Sequence, residues 1–233
     1  MLTKIEAVKR FHFKEGWLNT YHLFSFADYF DPENLQFGTL RVFNDDTIDA
    51  YSGFGDHGHS DMEIVTIIHE GELTHRDSMG NKETINAGEV QRMTAGTGVV
   101  HAEKNLADQP VHLYQIWFLP EAENLAPGYE QKDFSYLVEK NILTMVASQH
   151  PSGEAIKLQA DATIYLSELE EGKTVEHHTT KDRGVFVYVR EGDVDINGVA
   201  FSAGDQARIT DEETLTMIAT KNVKMILIDV AIT

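Results

Sequence analysis

Two histidines two apart open the stretch HGHSDMEIV at positions 57–65. A second pair of metal-donor side chains, His101 and Glu103, stands two apart in GTGVVHAEKN. On an extended strand side chains alternate with a period of two, so His57 and His59 share a face, as do His101 and Glu103. The Cα atoms of such a pair lie about 7 Å apart, near enough for both side chains to reach one ion. On a helix residues two apart point to different sides, so this spacing chelates only from extended chain. An antiparallel barrel that lays the two strands side by side would aim three imidazoles and one carboxylate inward. That donor set suits Fe(II), Mn, Co, Ni or Zn and leaves positions open for a substrate. Histidine's ordinary pKa near 6.5 keeps most of the rings neutral and able to ligate at neutral pH. The competing reading is a solvated turn that leads into a core strand. If residues 57–67 form one strand, Glu63 falls on the same face as His57 and His59 and becomes a second acid near the metal, with burial beside an Arg as its alternative.

The elements that must position these residues are β-strands. Short β-rich runs bounded by Gly, Asn and Asp recur, among them GTLRVFNDDTI, VHLYQIWFLP, GVFVYVREGDVDING and VKMILIDVAI. Runs of this kind predict an all-β sandwich or barrel, with hairpin turns at DSMGN and DINGV. An internal repeat refines the prediction. IVTIIHEGELTHRDSMGNKETINAGEVQRMT and VFVYVREGDVDINGVAFSAGDQARIT follow the same order of strands and turns, with Gly71 matched to Gly192 and Gly88 to Gly204. Counting from these glycines sets His178 against His57 and Thr180 against His59. The same count sets Met217 against His101 and Ala219 against Glu103, so the second copy lacks most of the donor set. The stretch 120–135 carries Pro and Gly in a polar run and is the expected joint between the copies.

The whole chain bounds the function. Its 233 residues, 42% of them hydrophobic, suffice for two compact barrels. There is no cysteine, so a tightly held metal must use His, Asp or Glu. A net charge of -19 repels phosphate backbones, which argues against direct nucleic-acid binding. No apolar run is long enough for a transmembrane helix, and the charged start MLTKIEAVKRFHFKEG lacks the apolar core of a signal peptide. A cytoplasmic location without membrane association is expected.

The stretches GDHGHSDMEIVTIIHEGELTHRDSMGN and AGEVQRMTAGTGVVHAEKN, with SFADYFDPENLQFGTLRVFNDD upstream, resemble the pirin family of the cupin superfamily. The likeness is strongest to short bacterial members described as quercetin 2,3-dioxygenases and is close from about Arg10 to Phe118. It implies a bicupin, two antiparallel β-barrels facing each other. A metal-binding barrel would span 1–135 and a degenerate one 136–233. It also implies His57, His59, His101 and Glu103 as ligands of one divalent metal, Fe(II) foremost, with Zn, Ni, Co, Mn and Cu as alternatives. Cupins commonly place their glutamate soon after H-x-H, which here would be Glu63; pirins use the later one, here Glu103.

The implied activity is that of an oxidoreductase, a dioxygenase cleaving a flavonol such as quercetin with O2 and releasing carbon monoxide. Glu103 is the first candidate to take the substrate's hydroxyl proton and Glu63 the second. A flat polyphenol needs an apolar slot, for which Phe24, Phe26, Phe43, Phe54 and Trp117 are candidates, each with core packing as its alternative. A second implied reading is a non-enzymatic iron-binding regulator that acts through a protein partner. A third is a structural bicupin that picks up metal adventitiously.

Overall fold

The computed structural model describes residues 1–232. The first half contributes strands β1 (Leu2–Ile5), β2 (Phe11–Glu15), β3 (Leu18–His22), β4 (Leu40–Ile48), β5 (Ser52–His59), β6 (Glu63–Glu70), β7 (Glu72–Asp77), β8 (Lys82–Asn86), β9 (Glu89–Thr94), β10 (Val99–Asn105), β11 (Val111–Phe118) and β12 (Gly128–Asp133). The second contributes β13 (Thr144–Ser148), β14 (Ile156–Lys157), β15 (Ala162–Leu169), β16 (Thr174–His178), β17 (Arg183–Glu191), β18 (Asp193–Ile196), β19 (Val199–Ser202), β20 (Gln206–Thr210), β21 (Thr214–Ala219) and β22 (Val223–Ala231). One short 3-10 turn, Ala7–Lys9, is the only helical element among the described residues. No helix there is long and apolar enough to cross a membrane.

The strands form two barrels, each a seven-stranded sheet closed by a four-stranded one. The first has the orders β12-β9-β6-β11-β4-β3-β2 and β5-β10-β7-β8; the second has β1-β20-β17-β22-β15-β13-β14 and β16-β21-β18-β19. The orders correspond from β9 to β4 against β20 to β15 and throughout the small sheets, which makes the repeat structural; at the far edge β2 pairs antiparallel with β3 whereas β14 pairs parallel with β13. The matched glycines agree as well. Gly71 and Gly192 have φ of +79° and +77°, and a Cβ on either would fall within 3 Å of a carbonyl oxygen, that of Pro110 or of Asn222. Only glycine accepts both the left-handed backbone and the close approach.

The strand at the outer edge of each large sheet comes from outside the span compared in the repeat. Residues 128–133, within the expected joint, form β12 and pair with β9. Residues Leu2–Ile5 form β1 and pair with β20 of the second barrel, so the chain's start completes the sheet of its C-terminal half. Both additions cover an edge that would otherwise offer unpaired N–H and C=O groups.

The two large sheets pack face to face. Phe43 and Tyr114 of the first barrel meet Phe186 and Tyr188 of the second in one continuous buried core. The Phe43 ring lies 5.2 Å from Phe186 and 5.0 Å from Tyr188, inside the range for favourable aromatic pairs. The barrel interiors differ. The second is filled by a single apolar cluster that includes Val175, Ile196, Met217 and Ala219. The first holds two smaller clusters, one around Ile48, Leu73 and Leu113 and one around Ile64, Met93 and Val99.

Candidate metal centre

Strands β5 and β10 are antiparallel neighbours, and the register sets His101 opposite His57 and Val99 opposite His59. Period-two alternation then aims the three imidazoles at one point. The ring of His101 lies 4.3 Å from that of His57 and 4.9 Å from that of His59. One nitrogen from each of the three lies within 4.8 Å of the others. A second set within the same limit is His75, His101 and Glu103, so His101 is common to both. Glu103 thus joins through His101.

The backbone is shaped to allow this. The β5–β10 register shifts between His101 and Glu103, a bulge that re-aims the later residues. Gly53, paired with Lys104 just beyond that bulge, has φ +140°. A Cβ there would sit 2.4 Å from the Glu103 carbonyl oxygen, so only glycine lets β5 approach.

The donor atoms are desolvated and mostly unpaired. His101 is 2% exposed, and neither ring nitrogen has a hydrogen-bond partner. Glu103 is equally buried and its Oε1 is likewise unpartnered. Buried polar atoms are normally satisfied, so this cluster of orphans fits a cation at their centre. His57 Nδ1 donates to the Gly55 carbonyl at 2.8 Å, which leaves Nε2 as the free donor atom. Burial, reinforced by the neighbouring imidazoles, pushes His101 down to about 3 and His59 to about 4. Both rings are therefore neutral at physiological pH, with lone pairs available. Burial raises Glu103, against a counter-pull from His75 and Gln115. The donor set of neutral imidazoles and a carboxylate suits a divalent transition metal.

A ring of supporting residues holds the donors in place. Gln115 Nε2 donates to Glu103 Oε2 at 2.7 Å, and Trp117 Nε1 donates to Gln115 Oε1 at 3.2 Å. Gln115 and Trp117 are two apart on β11 and share a face, so one strand face aligns the carboxylate. His75, wholly buried, pairs through Nε2 with Asp77 at 3.0 Å. Burial would raise Asp77, but Asn81 and His75 outweigh it and hold the carboxyl below its ordinary range. Neither Gln115 nor His75 was singled out in the sequence. His75 and Asp77 repeat the H-x-acid spacing that marked His101 and Glu103, and that signal was there to be used. Gln115 has no local signal, because its role depends on β11 lying across the barrel from β10.

Glu63 stands apart. It lines neither histidine set, contrary to the expectation that it faces the metal. The assumed single strand 57–67 is broken at Ser60–Met62, where Asp61 takes φ +48°. The turn resets the alternation and passes the chain from the four-stranded sheet to the seven-stranded one. Glu63 Oε1 instead accepts from the Gln159 backbone N–H at 2.9 Å, with the Arg92 guanidinium 3.8 Å away.

A cavity of about 290 Å³ opens beside the cluster, and His57, His59 and Glu103 form part of its wall. Phe26, Phe54 and Trp117 line it as expected for an aromatic slot, whereas Phe24 and Phe43 are buried in the core between the barrels. Phe11, Phe13, Leu18 and Tyr29 extend the apolar lining, and a polar patch of Thr20, His22, Asn44 and Asp46 interrupts it.

In the second barrel Met217 pairs with Val175, as His101 pairs with His57. If Met217 stands at His101's position, the positions of His57 and His59 fall to Val175 and His177. The glycine count, which set His178 against His57, loses register because the chain from Val175 to Gly192 is longer than that from His57 to Gly71. His177 is buried and paired with Asp229 at 2.8 Å, and the adjacent His178 is exposed on the opposite face. Among the described residues, no group of three metal donors forms there.

Residues 4–118 match the family model described as Pirin, and residues 145–230 match that of the Quercetinase C-terminal cupin domain. A quercetin 2,3-dioxygenase of Escherichia coli (strain K12) is 41% identical over 225 residues, covering 96% of each chain. A pirin-like protein of Caulobacter vibrioides is 39% identical over 217 residues, covering 93% of this chain and 94% of its own. The crystal structure of the bacterial pirin YhhW from Escherichia coli in complex with nickel(II) aligns with a TM-score of 0.95 at 40% identity, covering all of both chains.

Proposed function

The chain belongs to the pirin family, and from that premise we propose that it is a metal-dependent dioxygenase that cleaves a flavonol such as quercetin. The observation that carries the reading is the set of buried, unpartnered donor atoms at one end of an aromatic-lined cavity. We assign His57, His59, His101 and Glu103 as the metal's ligands and Fe(II) as the metal. The nickel(II) in the Escherichia coli relative supports a divalent ion without selecting iron. When bound, the metal supplies Lewis acidity, lowering the pKa of a flavonol hydroxyl and bringing substrate and O2 to one centre.

The chain's own groups do the rest. Phe26, Phe54 and Trp117 bind the flat rings by apolar contact and exclude water. Glu103, raised by burial, accepts the 3-hydroxyl proton at its carboxylate. Gln115 keeps that carboxylate turned toward the cavity. Glu63 takes no part, since its carboxylate is engaged with Gln159 and Arg92.

Loss of quercetin absorbance on mixing with iron-loaded protein tests the reading. Turnover by the wild type that His101→Ala abolishes is expected. No turnover with any of iron, nickel, cobalt, manganese, copper or zinc would overturn it and leave a regulator acting through a protein partner.

A further inference from the structure

One wall of the cavity is polar in a way that the metal does not explain. Strands β3 and β4 pair with Thr20 opposite Asp46 and His22 opposite Asn44, so alternation puts all four side chains on one face. All four line the cavity and all four are more than nine-tenths buried. Asn44 Oδ1 and His22 Nδ1 have no hydrogen-bond partner within the protein. Burial holds His22 neutral, at a pKa of about 4, so a lone pair remains on its ring. The His22 ring is fixed edge-on against Phe26, 5.1 Å away. The patch therefore offers acceptors (an amide oxygen, a carboxyl group, a hydroxyl oxygen and an imidazole nitrogen) beside the donors on the same amide, hydroxyl and ring.

The patch is also placed to be read by a ligand held at the histidine cluster. Asn44 pairs across the sheet with Gln115, which holds Glu103. From β11 through β4 to β3 the wall runs about 10 Å away from that carboxylate at ordinary strand spacing. Phe26, Phe54 and Trp117, with Phe11, Phe13 and Leu18, supply apolar walls of the same cavity.

We propose that Thr20, His22, Asn44 and Asp46 form a specificity wall that accepts hydrogen bonds from hydroxyl groups on the ligand's rings, so that the site takes polyhydroxylated aromatics in preference to bare ones. The inference rests on reading the cavity as the substrate site and does not depend on the dioxygenase chemistry. A ligand that presents donors to these acceptors gains hydrogen bonds that they otherwise lack. An analogue without hydroxyls leaves buried acceptors unpaired and is rejected, whereas apolar contacts alone discriminate weakly.

The test is equilibrium binding to the metal-free protein, followed by quenching of tryptophan fluorescence. The two probes are quercetin and 3-hydroxyflavone, which keeps the metal-facing edge and lacks every other hydroxyl. The wild type is expected to prefer quercetin by about tenfold or more. Asn44→Leu and Thr20→Val, each close to its parent in shape, are expected to bring the ratio toward one without weakening 3-hydroxyflavone. Circular dichroism checks that each variant is folded, and either folded variant decides the matter. No preference in the wild type, or a preference unchanged in the folded variants, would overturn the proposal. Turnover by the iron-loaded wild type is measured in parallel. Discrimination without turnover refutes the dioxygenase reading and supports the wall; turnover without discrimination does the reverse.

Discussion

His101 connects the two donor sets, with both ring nitrogens buried and unpartnered and His57, His59, His75 and Glu103 around it. A side chain so placed needs neighbours that fix its companions. Gln115→Leu should lower metal affinity about 10- to 100-fold while leaving the fold intact, because Glu103 loses the hydrogen bond that orients it. Competition with a chromogenic chelator measures this. Asp46 supplies a pH prediction. Burial, helped by the nearby Asp45 and Glu103 charges, pushes its carboxyl up to about 7. The folded state thus holds a proton that the unfolded chain releases near pH 4. The stability gained is full below that pH and is lost as pH rises through about 7. In the metal-free protein Asp46→Asn should raise Tm at about pH 8.5 and raise it clearly less at about pH 5, by roughly 2–4 °C for each kcal/mol recovered. At this scale the sequence revealed the donors that stand two apart on one strand. It concealed Asp46 and Gln115, whose significance comes from strands brought together over long range.

Between β5 and β10 the site depends on a close approach of backbones. Gly53→Ala would drive a Cβ into the Glu103 carbonyl and impose a side chain on a backbone that favours glycine. The substitution should cost on the order of 1–3 kcal/mol in a urea melt and weaken metal binding together with stability. The same pair of elements explains the misplacement of Glu63. Period-two reasoning holds within a strand and fails across a turn, and the residues SDM at 60–62 give little sign that β5 ends and a strand of the other sheet begins. The edge strands were hidden for a related reason. GYEQKD at 128–133 alternates weakly and follows a Pro-Gly turn, so its identity as β12 comes from pairing with β9 and not from its own pattern. The hairpins and the glycine-marked turns were legible because turn chemistry is local.

Two barrels built on one plan divide the labour by their interiors. The second carries Val175 and Met217 where the first carries His57 and His101, ties its remaining His177 to Asp229, and shares a buried aromatic seam with the first. Phe43→Ala at that seam should destabilise by about 3–5 kcal/mol in denaturant unfolding, since its ring contacts both Phe186 and Tyr188. The repeat made this plan readable from two glycines and a matched order of strands. The exchange of β1 into the far barrel was not readable, because four residues of LTKI carry no mark of their partner. A filled second barrel supporting an open, metal-binding first one accounts for a site rich in unpaired donors within an otherwise well-packed molecule. Carbon monoxide released from quercetin and O2 by iron-loaded protein tests the account most directly. One carbon monoxide per quercetin consumed by the wild type, with none from His101→Ala that remains folded, is the predicted result. Quercetin left intact by fully metal-loaded wild type, or consumed equally by the variant, would contradict it.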